Sequence, residues 1–138
     1  MTDAFAYLRP DGWAPPSGYS DGVSASGRIV FVAGQVGWNP AMARFDTDDF
    51  AEQAAQALKN VVAVLAAGEA RPEHIVRLTW YVTDRDRYLE SRRAIGVAYR
   101  KTIGDHYPAM SLVIVAGLLE PRAKIEIEAT AIVPVSDA

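Results

Sequence analysis

The stretch His106–Val133, HYPAMSLVIVAGLLEPRAKIEIEATAIV, decides the fold, because its last third can be read only one way. From Lys124 onward, Ile125, Ile127, Ala129 and Ala131 alternate with Lys124, Glu126, Glu128 and Thr130. Side chains two apart on a strand share a face at roughly 6.5 to 7 Å, so one side of this strand is apolar and the other carries two neighbouring carboxylates. Before it, Ser111–Leu118 is a second apolar run and reads as a buried strand, and Leu119–Ala123 supplies the turn between the two. The loop Gly104–Met110 follows a helical pattern and sets Met110 two residues after Pro108, where it is aimed by a turn.

Working outward, His74–Asp84 alternates Val76, Leu78, Trp80 and Val82 with Ile75, Arg77, Thr79 and Tyr81, a strand with one greasier face. Asp49–Ala67 places Phe50, Ala54, Ala57, Leu58, Val61, Val62 and Leu65 on one helical face. Asp49 and Glu52 form a capping pair there, and Gly68 is the C-terminal stop. A second helix spans about 86–103, its stripe made of Tyr88, Arg92, Ile95, Tyr99 and Ile103. Gly22–Gln35 gives two short strands around Ser26-Gly27, read as a hairpin whose second strand is apolar on both faces. Residues 1–17 read as an irregular arm, since Arg9–Tyr19 is rich in Pro and Gly. The expected order is β-β-α-β-α-β-β in a single domain over 1–138, an α+β fold with both helices on one face of a mixed sheet.

Composition narrows the function. A chain of 138 residues, half of them hydrophobic, builds one core without staples. A net charge of −3 provides no field for gathering phosphates, so nucleic acid is not the expected partner. Cysteine is absent, and His74 and His106 lack metal-ligand spacing, so no metal is expected. No window reaches the roughly 18 apolar residues of a membrane span. A cytoplasmic protein is the expectation.

Four features carry candidate chemistry, each beside a plain packing account. Glu126 and Glu128 either sit on a solvated sheet face or, if other subunits enclose that face, become buried carboxylates with a task. Arg92 either lays its stem on the core and sends its head to water, or presents its guanidinium to an anion at an interface. Met110 fills a gap or lines an apolar pocket. Gly34–Gly37, GQVG, can bring backbone N–H groups to a ligand but matches no phosphate loop.

Taken jointly, Gly18–Gly37, Gln53–Asp84 and Tyr107–Val133 closely resemble the RidA/YjgF family of reactive-intermediate deaminases, also called L-PSP endoribonuclease-like. The resemblance implies a chorismate-mutase-like fold, a homotrimer with clefts between subunits, and cofactor-free hydrolysis of enamines and imines to ketoacids and ammonia. It implies that Glu126 positions the attacking water and that Tyr19 and Gly34 line the substrate site. It also implies a carboxylate-clamping arginine where this chain has Met110. With that arginine absent, the expectations are a deaminase of altered substrate in which Met110 meets an apolar portion and Arg92 takes any anion. The alternatives are a trimer that binds a small metabolite without turnover and, more weakly, a ribonuclease.

Overall fold

A computed structural model describes residues 5–135. The elements are β1 (Phe5–Leu8), β2 (Gly22–Ala25), β3 (Arg28–Val36), α1 (Phe50–Ala67), a short 3-10 turn at Pro72–His74, β4 (Ile75–Val82), α2 (Arg85–Thr102), β5 (Ala109–Ile114) and β6 (Ile125–Val133). A four-stranded sheet runs β3-β6-β4-β5; β6 is antiparallel to both neighbours, while β4 and β5 are parallel. The sheet is therefore mixed, and both helices pack on one of its faces, as the α+β expectation required.

β6 keeps the alternation that its sequence announces. Ile125, Ile127, Ala129, Ala131 and Val133 are buried, and Glu126, Glu128 and Thr130 are half-buried on the opposite side. Against the buried side lie Leu78, Trp80 and Val82 of β4, Ala54, Leu58, Val61 and Leu65 of α1, and Ile95 and Tyr99 of α2. Burying a side chain such as Leu58 stabilises by about 1.5–3 kcal/mol, so this single layer carries most of the hydrophobic driving force.

Two polar side chains of α1 lie inside it. Gln53 donates to the carbonyls of Thr47 and Arg122 and accepts from Lys124 N–H at 2.9 Å, tying the start of α1 to the start of β6. Asn60 donates to the carbonyls of Val36 and Trp38. Gly37 lets the end of β3 come that close, since a Cβ there would stand 2.3 Å from the Gln53 carbonyl oxygen. That packing accounts for one glycine of GQVG.

Several local expectations are corrected. The arm over 1–17 is not irregular throughout: Phe5–Leu8 is a strand, paired antiparallel with β2 from Phe5↔Ala25 to Leu8↔Gly22. β2 thus spends its hydrogen bonds on β1 while β3 spends its own on β6, and the hairpin expected around Ser26-Gly27 does not form. Nor is β3 buried on both sides; Val32 is covered by the helices, whereas Ile29 and Phe31 are 54% and 75% exposed. β5 is an edge strand rather than a buried one, leaving Val113 and Ile114 open. At the end of α1 the left-handed residue is Glu69, φ 57°, and Gly68 is not left-handed. Gly68 is small because a Cβ there would press on Val30 at 3.1 Å. Asp49 does accept from Glu52 N–H, but the Glu52 carboxylate takes the Thr47 hydroxyl, so Thr47 completes the cap.

β1 is fastened through His106. His106 Nε2–H donates to the Ile75 carbonyl at 2.7 Å, and with the ring neutral its Nδ1 accepts from the Tyr7 hydroxyl at 2.6 Å. Burial holds the His106 pKa below its ordinary value; the Ile75 carbonyl and Glu73 act the other way, and His74 adds to the lowering. With the folded value below the unfolded one, the unfolded chain binds more protons just below about pH 6.5, so stability falls as pH falls through that window. Thermal unfolding should show this slope, and His106→Gln, though less stable at pH 7, should flatten it. An equal slope in both proteins would assign the acid sensitivity to other groups.

Candidate functional site

The candidate residues fall into two groups on opposite sides of the sheet. Glu126 and Gly34 form the first. β3 and β6 slip register between Val32 and Gln35, which brings the Gly34 backbone beneath the Glu126 side chain. A Cβ at position 34 would stand 2.5 Å from Glu126 Oε2, so glycine is what gives the carboxylate its room. That accounts for the second glycine of GQVG.

The two carboxylates of β6 are not equivalent. Glu128 accepts from the Tyr81 hydroxyl at 2.8 Å, and that bond, above all, raises the Tyr81 pKa. The Glu126 carboxylate has no hydrogen-bond partner among the described residues, which leaves its lone pairs for a water or a ligand. Beside them on this uncovered face, Phe31, Arg77, Thr79, Glu128 and Thr130 line a depression of about 410 Å³.

Met110 and Arg92 form the second group. Met110 pairs in parallel register with buried Leu78 and therefore points to the helix side, away from Glu126. There it lines a cavity of about 820 Å³ together with Trp80, Tyr88, Arg92, Tyr107 and Arg100. Arg92 is exposed and its guanidinium makes one long bond, Nε to the Leu89 carbonyl at 3.4 Å, so both accounts of it stay open: a head in water and a head offered to an anion. Burial raises the Tyr88 pKa, and the Arg92 charge acts against that rise. Tyr19 is 40% exposed and lines a neighbouring depression with Tyr7, Asp105 and Tyr107. Pro16, Gly18 and Tyr107 border both spaces. The Gly18–Ser20 segment is held there by Ser20 N–H to the Pro108 carbonyl at 3.0 Å and by the Ser20 hydroxyl to the Tyr107 carbonyl.

Sequence reasoning missed Trp80, Tyr107 and Arg100 as cavity residues. The alternation of β4 marks Trp80 only as core, and Arg100 was legible as a partner of Arg92 only through the eight-residue, roughly two-turn, spacing on α2. Among the described residues, no three His, Cys, Asp or Glu side chains are grouped to hold a metal, and no helix is long and apolar enough to cross a membrane.

Known proteins resemble this chain in sequence and fold. A family model described as Endoribonuclease L-PSP matches residues 11–133. The 2-iminobutanoate/2-iminopropanoate deaminase of Escherichia coli is 34% identical over 117 residues, 83% of this chain and 86% of that protein. A RutC family protein of Aquifex aeolicus is 36% identical over 81 residues, which span 59% of this chain and 63% of that relative. Among solved structures, the Rid-family protein YyfB of Yersinia pestis, itself described as of unknown function, superposes with a TM-score of 0.83 at 33% identity, covering 95% of this chain and all of that one. On the family match and these likenesses together, the chain belongs to the L-PSP endoribonuclease family, that of RidA and YjgF.

Proposed function

We propose that the protein is a cofactor-independent deaminase of enamines or imines, assembled as a homotrimer whose sites lie between subunits. The observation that carries the reading is the division of the candidate residues: Glu126 and Gly34 occupy one side of the sheet, Met110 and Arg92 the other. One chain cannot place both groups on one small molecule, whereas the first group of one subunit can face the second group of its neighbour. The deaminase relative in Escherichia coli supports the chemistry, and the exposed Ile29 and Phe31 support an assembly through the uncovered face.

In this reading a water held by Glu126 adds to the carbon of the protonated C=N bond, and its proton passes to the carboxylate. The resulting tetrahedral adduct then collapses. Glu126 returns the proton to nitrogen and, as ammonia leaves, takes the hydroxyl proton, so that a neutral carbonyl compound remains and the second proton goes on to ammonia. Met110 meets the apolar part of the substrate, Tyr19 borders the entrance, and Arg92 receives an anionic group from the α2 side.

The test is ammonia release from freshly generated imines with and without a carboxylate. Turnover confined to carboxylate-bearing imines is expected; no turnover across the panel would leave a trimer that binds a metabolite without converting it. That second reading draws on Met110, since no thioether reproduces the charged hydrogen bonds of a clamp arginine, worth about 1.5–3 kcal/mol each. RNA cleavage has less support, for the net charge is −3 and both histidines are buried, His106 bonded to Tyr7 and Ile75 and His74 to Arg71.

A further inference from the structure

One polar contact on the uncovered face of the sheet takes no part in water addition by Glu126: the hydrogen bond from the Tyr81 hydroxyl to Glu128. Its place in the ladder gives it a use. Tyr81 of β4 stands directly opposite Glu126 of β6, and Thr79 stands opposite Glu128. Side chains directly opposite on an antiparallel pair share a face, with Cβ atoms about 4.5–5.5 Å apart. The phenol therefore starts beside the Glu126 side chain and reaches diagonally along β6 to Glu128.

A phenol carries one hydrogen to give and lone pairs to accept with. The hydrogen of Tyr81 goes to Glu128 at 2.8 Å, and among the described residues nothing donates to its oxygen. Donation to a carboxylate makes that oxygen a better acceptor, because hydrogen bonds in a chain polarise one another. The group also stays neutral. The Glu128 bond above all, then desolvation and the charges of Glu128 and Glu126, raise the Tyr81 pKa, and the last of these causes puts the phenol within electrostatic reach of Glu126.

A water with one hydrogen on Glu126 can still swing about that bond, and its lone pairs swing with it. A second acceptor for its other hydrogen stops the rotation and leaves the lone pairs directed away from both partners, toward an electrophile on the open face. Tyr81 is placed to be that acceptor. The other hydroxyls of this face, Thr79 and Thr130, belong to the next pairs along the ladder, Thr79 opposite Glu128 and Thr130 opposite Arg77.

We infer that the Tyr81 oxygen accepts the second hydrogen of the water held by Glu126, and that Glu128 is a positioning residue, acting through Tyr81 by holding its hydroxyl in place. The inference deepens the deaminase reading and rests on it for turnover, though not for the bound water. As the water oxygen bonds to the imine carbon, its first proton passes to Glu126, while the second stays on the new hydroxyl group until the adduct collapses. The phenol neither gains nor loses a proton.

Crystallography and kinetics on the full chain test it together. A crystal structure that shows ordered water should place one water about 2.6–3.2 Å from both the Glu126 carboxylate and the Tyr81 oxygen, and the same site should be empty in Tyr81→Phe. In ammonia release from imines, Tyr81→Phe keeps the ring and should lower kcat by about tenfold with KM unchanged. Glu128→Gln still accepts from the hydroxyl and should retain most turnover, whereas Glu128→Leu should fall as far as Tyr81→Phe. Within Glu126→Gln, adding Tyr81→Phe should cost about twofold or less, because the two residues act on one water. The same loss in both backgrounds would make Tyr81 merely structural and overturn the inference, as would the absence of a bridging water. A bridging water lost in Tyr81→Phe, with no ammonia released from any imine, keeps the water site and removes the deaminase. Ammonia release undiminished in Tyr81→Phe does the reverse.

Discussion

Glu126→Gln should lower imine hydrolysis by about 10²–10⁴-fold, with the loss in kcat rather than in KM, while the sedimentation and circular dichroism of the protein stay as they are. Glutamine matches the size of the carboxylate and so retains the fit above Gly34, but it cannot accept the proton of the attacking water. The effect should be specific to this position. Glu128 shares the face and the chemistry, yet it is tied to the Tyr81 hydroxyl, so Glu128→Gln should cost far less activity. Gly34→Ala provides a control from the backbone side. Its new Cβ would stand 2.5 Å from Glu126 Oε2, so the carboxylate must move, and turnover should fall although no reacting group has been removed. Steady-state ammonia release from wild type and the three variants decides the matter, and unchanged turnover in Glu126→Gln would end the water-positioning role.

Much of this architecture was legible because alternation is a local signal. In β6 every second residue is buried, and in α1 Phe50, Ala54, Leu58, Val61 and Leu65 all face the core, as their spacing requires. What failed was pairing, which depends on partners distant in the chain. Gly22–Ala25 and Arg28–Val36 look like the arms of a hairpin, but whether they hydrogen-bond to each other depends on Phe5–Leu8 and on β6. Phe5–Leu8 is a four-residue run without alternation, and its anchor, Tyr7 on His106, joins residues 99 positions apart. The site followed the same division. Residue types marked Glu126, Arg92 and Met110 as worth attention, but only the β4–β5 register shows that Met110 and Glu126 face opposite ways. Ile29 and Phe31 misled in a useful manner: a strand apolar on both faces implies burial on both, and a single chain covers only one.

That uncovered face leads to the second large effect. Phe31→Asp should convert a particle of three chains into one of the single-chain mass, 15.0 kDa, as measured by sedimentation, with secondary structure preserved. Phe31 is 75% exposed and touches little within its own chain, so the substitution should barely alter the fold. Within an assembly the same ring would be buried, and losing a buried Phe costs about 3–5 kcal/mol before the penalty of desolvating a new carboxylate is added. A change of that size weakens association by a factor on the order of 10² or more at each contact. If the sites lie between subunits as proposed, activity should fall with the assembly, because Glu126 and Arg92 would then serve one substrate only across two subunits. Mixing separates this from simple damage. Glu126→Gln and Arg92→Gln chains, each impaired alone, should regain turnover when unfolded and refolded together, since some interfaces then join an intact Glu126 to an intact Arg92. If the mixture is no better than its components, the site belongs to one chain; if Phe31→Asp remains trimeric, the uncovered face is not the one that assembles.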